Sequence, residues 1–220
     1  RSARDCSRVA GALRGHDHFR NVNDAPEYGT SLDVVLLAAG MSRRFGSSKL
    51  MADVAGKRVL EIALAQLLDL RAGRLIVVVG PESVIELPGL RNPAVTIARN
   101  AKPAAGLSSS IRIGLRGVGP GADGVMLCLA DQVAVSADDY RRLVEAWRAR
   151  PEAPAAAFYR EQLGAPAIFP RSWFGDLRAL AGDRGAGALL RSQRGSVVAV
   201  DMPVAEFDID TPADLDRYRR

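Results

Sequence analysis

The chain has 220 residues, 48% of them hydrophobic and 25% charged, and it carries a formal net charge of +5. This length and composition predict one globular domain, with or without a short appendage, and exclude a chain that is disordered throughout. Only three of the 30 basic residues are lysines, and both histidines, His16 and His18, lie near the start. The rest of the chain has no histidine, which excludes a Ser/His/Asp triad, a histidine general base and a histidine-ligated metal there.

The two cysteines, Cys6 and Cys128, are too few for a structural zinc site or an iron–sulfur cluster, and they form no CxxC pair. No apolar run approaches the roughly 20 residues of a membrane span. Aromatic residues make up only 5% of the chain and no long Lys/Arg run occurs, which argues against a nucleic-acid partner. We expect a cytoplasmic protein with no nucleic-acid and no membrane partner, whose positive charge suits small anionic substrates.

The first 31 residues differ in composition and apolar spacing from the rest of the chain. They mix both charges with Gly, Asn and Asp, and they show no sustained apolar period. They also lack the apolar core of a signal peptide. We predict that residues 1–31 form a flexible extension and that residues 32–220 form the folded domain.

From Leu32 onward, apolar runs alternate with amphipathic stretches. Runs that are apolar on both faces predict buried strands of a largely parallel sheet, here at residues 32–38, 75–79, 94–98, 125–129, 165–169 and 197–200. Helices are predicted at residues 59–70, 107–115 and 137–149, the last capped by Ser136. The alternation predicts an α/β domain with a doubly wound, mostly parallel sheet and helices on both faces.

The loop after the first strand is the most informative segment. Residues 36–50 (LLAAGMSRRFGSSKL) place two glycines, Ser42 and two cations in one irregular loop. Glycines let the backbone approach an anion closely, and Arg44 and Lys49 could neutralise a polyphosphate. The glycine spacing matches neither a Walker A loop nor GxGxxG. The alternative is an ordinary strand-to-helix turn whose charged residues are solvated.

This segment resembles the LAAGxSxRxGxxK signature of molybdenum cofactor cytidylyltransferases, whose fold is a single-domain, Rossmann-like nucleotidyltransferase fold. The resemblance implies a nucleoside triphosphate site with the base and ribose at Leu37, Ala38, Ala39 and Gly40, with Ser42 and Gly46 in the loop, and with the phosphates at Arg44 and Lys49. The related guanylyltransferases typically read LAGG. Ala39 therefore indicates CTP rather than GTP.

Asp131 follows the apolar run VMLCL at the carboxyl end of a predicted strand, where ligands bind in open α/β sheets. A Mg²⁺ ion bound with a triphosphate needs only one or two carboxylates. The alternative is an aspartate that caps a helix or a turn. LADQ also resembles the family's LADQP motif, which implies that Asp131 is a catalytic metal ligand, although Val133 stands where Pro is usual.

A second acidic pair lies in residues 207–215 (FDIDTPADL). Thr211 and Pro212 predict the start of a helix. Alternation would put Asp208 and Asp210 on one face of a short strand. The segment resembles the family's D-x-DTPxDL motif, which implies a second metal contact from this pair, with Asp210 favoured over Asp208. A purely structural role is the alternative.

Residues 100–110 (NAKPAAGLSSS) predict a helix whose first turn is rich in hydroxyl groups, which is a natural anion site. Simple N-capping by one of the serines is the alternative. The segment resembles the family's N-x5-GLSSS pattern. That resemblance implies contacts with the nucleotide and with the pterin phosphate from Asn100, Gly106, Ser108 and Ser109.

Two later segments, residues 164–166 (GAP) and 182–190 (GDRGAGALL), resemble the family's GHP and GDxGAR segments. The resemblance implies that four residues face the acceptor: Gly164, Pro166, Gly182 and Asp183. Ala165 replaces the usual His, and Gly187 replaces the usual Arg. These departures weaken the case for a pterin acceptor more than the case for nucleotidyl transfer.

The motifs cover about residues 32–217 in the expected order. The resemblance therefore implies transfer of CMP from CTP to the phosphate of a molybdopterin-type molybdenum cofactor, with Mg²⁺ or Mn²⁺ as the metal. The product would pass to a molybdoenzyme or its maturation chaperone. Two alternatives stay open: a nucleotidyltransferase that uses GTP or another acceptor, and a non-catalytic accessory protein that delivers the cofactor.

Overall fold

The computed structural model describes residues 30–40, 45, 49–81 and 88–218, so residues 1–29 of the predicted extension lie outside the described residues. Strands occur at β1 (Leu32–Ala38), β2 (Asp53–Val54), β3 (Lys57–Arg58), β4 (Leu75–Val79), β5 (Val95–Arg99), β6 (Gly124–Leu129), β7 (Ala155–Tyr159), β8 (Gln162–Pro170) and β9 (Val198–Asp201). Helices occur at α1 (Val59–Asp69), α2 (Leu107–Gly117), α3 (Ala137–Ala149), α4 (Phe174–Ala179), α5 (Gly187–Ser192) and α6 (Pro212–Tyr218). Within these ranges no helix has the length and apolar character needed to cross a bilayer.

Seven of the strands form one sheet in the order β5-β4-β1-β6-β8-β7-β9. The strands β5, β4, β1 and β6 are mutually parallel, and β9 is parallel to β7. This doubly wound, mostly parallel sheet confirms the predicted α/β fold. Because β1 lies between β4 and β6, its carboxyl end is at the centre of the sheet.

The two faces of the sheet carry separate hydrophobic cores. Alternate residues of β1 point to opposite sides, so Val34 and Leu36 lie in one core and Val35 and Leu37 in the other. Helices α1 and α3 cover the first core. Helices α2, α4 and α5 cover the second. Both faces of β1 are therefore buried, as its uninterrupted apolar sequence predicts.

The six predicted strands and three predicted helices are present, and β1, β4 and α3 have the predicted ends. Ser136 caps α3 as predicted, because its Oγ accepts from the Asp139 N–H at 3.2 Å. Ser31 is the last residue of the predicted extension. The Asp123 N–H donates to the Ser31 carbonyl at 2.8 Å, and this bond ties Ser31 to the domain.

The hairpin formed by β7 and β8 is absent from the prediction. The run Ala155–Tyr159 contains three alanines and no β-branched residue, so its strand propensity is low. Its two-residue turn consists of Arg160 and Glu161, both with positive φ, instead of the Asn-Gly or Asp-Gly that usually marks such a turn. This short turn forces β8 to run antiparallel to β7, and β8 also pairs antiparallel with β6.

Close packing of α2 on the sheet depends on Gly114. A Cβ atom at this position would lie 2.3 Å from Cγ1 of Val35 and 3.2 Å from Cγ2 of Val78. We expect Gly114→Ala to lower the free energy of unfolding by about 1–3 kcal/mol, because the methyl group overpacks the core. Chemical denaturation measures this change. Gly121→Ala is the control, since a Cβ there meets nothing within 4 Å, and equal midpoints for the two variants would contradict the prediction.

Candidate active site

A cavity of about 370 Å³ opens at the carboxyl ends of β1 and β6. These two strands are parallel neighbours at the centre of the sheet, where ligands bind in open α/β folds. The cavity is lined by residues from five segments of the chain: Leu37, Ala38, Ala39, Gly40, Lys49, Leu50, Pro103, Gly106, Leu107, Ser110, Leu129, Asp131, Asp183 and Asp210. Its volume lies within the range of small-molecule sites.

The end of β1 supplies one wall of this cavity. Leu37, Ala38 and Ala39 are buried, and Gly40 is exposed. A Cβ atom at Gly40 would meet nothing within 4 Å, so the backbone here faces open space. All four residues that the sequence predicted for the base and ribose line the cavity. The predicted contributions of Ser42, Arg44 and Gly46 lie outside the described residues.

The polar centre of the site is an ammonium group between two carboxylates. Lys49 begins a 3₁₀ turn, Lys49–Met51, and its side chain is 11% exposed. Its Nζ donates to Oδ2 of Asp131 at 2.6 Å and to Oδ1 of Asp210 at 2.9 Å. Two carboxylates that contact one cation at these distances converge on a single point. The structure therefore brings together Lys49, Asp131 and Asp210, which three separate motifs had named without predicting that they contact one another.

Electrostatics keep the Lys49 ammonium group protonated. Burial by itself would lower the pKa of Lys49, but the negative charges and hydrogen bonds of Asp131 and Asp210 outweigh it and raise this pKa above its ordinary value. The side chain is thus a permanent cation at neutral pH. A fixed cation beside two anions can neutralise charge on a phosphorylated ligand without a proton transfer.

Asp208 lies next to this centre but outside the cavity. Desolvation of its carboxyl group and the negative charges of Asp131 and Asp210 raise the pKa of Asp208 to about 6. The prediction of a strand here is wrong, because residues 207–210 form no ladder. Their main-chain bonds are those from the Phe207 N–H to the Val204 carbonyl (3.2 Å) and from the Ile209 N–H to the Asp131 carbonyl (3.1 Å). The burial of these three residues still alternates, because Ile209 is buried while Asp208 and Asp210 are not.

The first turn of α2 forms another wall, but its serines have internal partners. The Oγ of Ser108 donates to the Gly182 carbonyl at 2.7 Å, and the Oγ of Ser109 donates to the Gly106 carbonyl at 2.8 Å. The buried amide of Asn100 donates to Ser109 and to Ser110. Only Gly106 and Ser110 of this polar group line the cavity. Asn100, Ser108 and Ser109 instead hold the backbone around it.

Serine N-capping of α2, one alternative from the sequence, is wrong. The residue before the helix is Gly106, which has φ +91° and provides no side-chain cap. A Cβ atom at Gly106 would lie 2.3 Å from the Gly182 carbonyl oxygen, so only glycine allows this contact. The close approach brings the neighbouring Asp183 to the edge of the cavity.

The structure separates the residues predicted for the acceptor side. Asp183 lines the cavity, whereas Gly164, Pro166 and Gly182 do not. Gly164 instead lies against the phenol of Tyr159, since a Cβ at Gly164 would be 2.4 Å from the Tyr159 hydroxyl. The Cys128 side chain is buried in the core, and burial raises the pKa of its thiol, so it is no candidate nucleophile.

Several residues of the site were not predicted. Leu50, Pro103, Leu107 and Leu129 supply apolar lining and carry no motif that identifies them. Gln132 was also missed, although a polar residue beside Asp131 between two apolar runs is a readable signal. Its amide is 2% exposed and bonds to two distant segments.

Two of the described carboxylates are placed to hold a divalent metal. In the described ranges, no group of three or more His, Cys, Asp or Glu side chains forms a metal centre by itself. Asp131 and Asp210 nevertheless fit Mg²⁺ or Mn²⁺, because Mg²⁺ takes one or two carboxylates and completes its shell with substrate phosphates and water. A metal held in this way requires the substrate as a ligand.

Comparison with known proteins agrees with this geometry. Residues 34–197 match the family of MobA-like NTP transferase domains. The purine catabolism protein PucB of Bacillus subtilis (strain 168) is 31% identical over 200 residues, which cover 84% of this chain and 95% of PucB. The chain belongs to the MobA-like NTP transferase family. It is a nucleotidyltransferase.

Solved structures show the same architecture. Rv0371c from Mycobacterium tuberculosis H37Rv is 30% identical to this MobA-like transferase, with a TM-score of 0.74 over 86% of this chain and 98% of that chain. A structure of Rv0371c in complex with manganese is 29% identical, with a TM-score of 0.69 over 86% of this chain and 98% of that chain.

The position of Lys49 predicts a large effect on turnover. We expect Lys49→Met to lower kcat/KM for the nucleoside triphosphate about 10²–10³-fold, because the variant keeps the apolar stem and loses the cation that lines the cavity beside Asp131 and Asp210 and can offset triphosphate charge. Pyrophosphate release measures the rate. Lys57→Met is the matched control, because Lys57 is exposed on β3, outside the cavity. Wild-type kcat/KM in Lys49→Met, or an equal loss in the control, would contradict the assignment.

Proposed function

We propose that the chain transfers CMP from CTP to the terminal phosphate of a molybdopterin-type cofactor, giving the cytosine dinucleotide and pyrophosphate. One observation carries the proposal. A single cavity is lined by the LAAG residues at the end of β1 and by the group of Lys49, Asp131 and Asp210. A nucleoside triphosphate needs both an apolar base pocket and a charged phosphate end, and here they are parts of one site.

The nucleotide preference rests on Ala39. Ala39 is buried in the lining of the cavity, and the related guanylyltransferases carry glycine at this position of the motif. A methyl group narrows a base pocket and disfavours a purine more than a pyrimidine. The same pocket would contain Leu37, Ala38 and Gly40.

The chemistry requires no general base. A phosphate oxygen of the acceptor forms the new bond to the α-phosphorus of CTP, and the bond from that phosphorus to the departing pyrophosphate breaks. The acceptor phosphate is already ionised at neutral pH, so no proton has to be removed. Residues 32–220 contain no histidine, which agrees with a reaction driven by positioning and charge.

Cationic side chains and a metal ion would together neutralise the charge of the triphosphate. Lys49, together with Arg44, would hold phosphate oxygens, and the Lys49 charge offsets the charge that moves onto pyrophosphate. Asp131 and Asp210, with Asp208 beside them, would bind Mg²⁺ or Mn²⁺; the manganese complex of Rv0371c supports such a metal. When bound, the ion would neutralise the triphosphate and align it.

The acceptor would bind at the side of the cavity that Asp183 lines, with Gly182 holding that side from outside the cavity through its carbonyl contact with Ser108. Gly164 and Pro166 would shape a second surface beside Gln132, whose amide bonds to the Ala165 carbonyl between them. Asn100, Gly106, Ser108 and Ser109 would act by holding the α2 wall in place. A molybdoenzyme or its maturation chaperone would then take the dinucleotide.

A substrate panel tests the reaction. We expect pyrophosphate release from CTP only when molybdopterin is added, and we expect release from GTP to be at least about tenfold slower. Asp131→Ala should abolish release, whereas Asp138→Ala should not, because the Asp138 side chain is 86% exposed on α3. Faster release from GTP would refute the nucleotide assignment, and turnover only with another phosphorylated acceptor would refute the pterin. Tight cofactor binding without any release, unaffected by Asp131→Ala, would indicate a delivery protein.

Ala39→Gly tests the base pocket. Removing the methyl group should raise the ratio of GTP to CTP turnover about 10-fold or more, because the change is worth roughly 1–3 kcal/mol of discrimination. The ratio of the two kcat/KM values measures it. Ala156→Gly, at a buried alanine of β7 outside the cavity lining, is the control. An unchanged ratio in Ala39→Gly would remove Ala39 as the specificity residue.

A further inference from the structure

Gln132 connects the segments that carry the polar residues of the site. It follows Asp131 directly, and it is 2% exposed. Its Nε2 donates to the Ala205 carbonyl at 2.7 Å and to the Ala165 carbonyl at 3.2 Å. The amide therefore donates to main-chain oxygens of two segments that lie 73 and 33 residues away along the chain, and Gln132 also hydrogen-bonds to the Asp208 side chain.

The Ala205 contact fixes the chain just before the second acidic pair. Ala205 is buried in a 3₁₀ turn, Pro203–Glu206, that leads directly into Phe207 and Asp208. Further along, the buried Ile209 donates its N–H to the Asp131 carbonyl at 3.1 Å. Adjacent residues, Asp131 and Gln132, thus hold the incoming segment at two points.

These bonds matter because no regular structure positions residues 207–210. The segment belongs to no strand or helix, so it lacks the repeated hydrogen bonds that would set its distance from β6. Asp210 nevertheless reaches the same ammonium group as Asp131, at 2.9 and 2.6 Å. Such convergence tolerates little displacement, because a hydrogen bond weakens steeply beyond about 3.2 Å.

We propose that Gln132 is a positioning residue that holds the Asp208–Asp210 segment so that Asp210 and Asp131 bind the same cation. The inference rests on the proposed role of these two carboxylates in metal binding. Gln132 touches neither the substrate nor the cation in this role. It acts through Ala205 and through its bond to Asp208, in the way that partners of metal ligands tune affinity about 10–100-fold.

The test separates positioning from simple stabilisation of the fold. Gln132→Met keeps the length of the side chain and removes both N–H donors. Asp33→Asn is the matched control: Asp33 is 3% exposed and accepts from the Arg74 and Gly119 N–H groups, but it lies at the start of β1, at the opposite end of the strand from the cavity. Both variants should lower Tm, and only the first should alter the site.

The first measurement is Mn²⁺ binding to the full chain, followed by the electron paramagnetic resonance signal of free Mn²⁺, with and without CTP. We expect the dissociation constant for Mn²⁺ to rise about tenfold or more in Gln132→Met and to stay within about twofold of wild type in Asp33→Asn. In turnover assays, kcat should fall in Gln132→Met while KM for CTP changes little, because the base pocket is untouched.

A folded Gln132→Met with wild-type Mn²⁺ affinity would overturn the inference, as would an equal loss in Asp33→Asn. If Gln132→Met does not fold, Gln132→Asn replaces it. The Asn amide is one methylene shorter and cannot reach both carbonyls, so we expect a smaller loss of Mn²⁺ affinity. An unchanged affinity in Gln132→Asn would again overturn the inference. A wild-type protein that releases no pyrophosphate from CTP, but whose Mn²⁺ affinity still depends on Gln132, would refute the proposed substrates and support the positioning role.

Discussion

The ion cluster of Lys49 with Asp131 and Asp210 is the interaction on which the rest of the site depends. The three residues come from segments separated by 82 and 161 residues. The parallel pairing of β1 with β6 brings the segments that follow these strands to one edge of the sheet, and the bond from the Ile209 N–H to the Asp131 carbonyl brings in the third. Each member needs the others, since an ammonium group that is 11% exposed is costly to desolvate without anionic partners. Any change that moves one carboxylate therefore disturbs the charge balance of the whole centre.

The surroundings of the cluster serve mainly to hold it rigidly. The hydroxyl groups at the start of α2 and the amide of Asn100 bond to one another and to the Gly182 carbonyl, so they shape the cavity wall from behind. Gln132 holds the Asp208–Asp210 segment in place through its bond to the Ala205 carbonyl. Polar residues that look like ligand contacts in the sequence thus split into two sets, and only those on the cavity side are available to a substrate. Preorganisation of this kind is what a reaction driven by electrostatics requires.

The absence of histidine from residues 32–220 agrees with this design. Joining an ionised phosphate to an activated one needs cations and alignment, and it needs no proton acceptor. Lys49 has a raised pKa and is a fixed positive charge over the physiological pH range. The chain belongs to the MobA-like NTP transferase family, and its cavity places Ala39 and Asp183 in the same lining as Lys49, Asp131 and Asp210.

The sequence by itself determined the fold class and the ends of β1, β4 and α3, and it named Lys49, Asp131 and Asp210 as candidates in separate motifs, because apolar periodicity and short motifs are local properties. It did not predict the β7–β8 hairpin, since an alanine-rich strand and an Arg-Glu turn carry no local signal. Only the tertiary structure decided that Asp210 lines the cavity and Asp208 does not, that Gly106 and not a serine precedes α2, and that the buried amide of Gln132 links three segments. Those outcomes depend on contacts between residues far apart in the chain, and the physical reason is that such contacts arise only when the sheet has assembled.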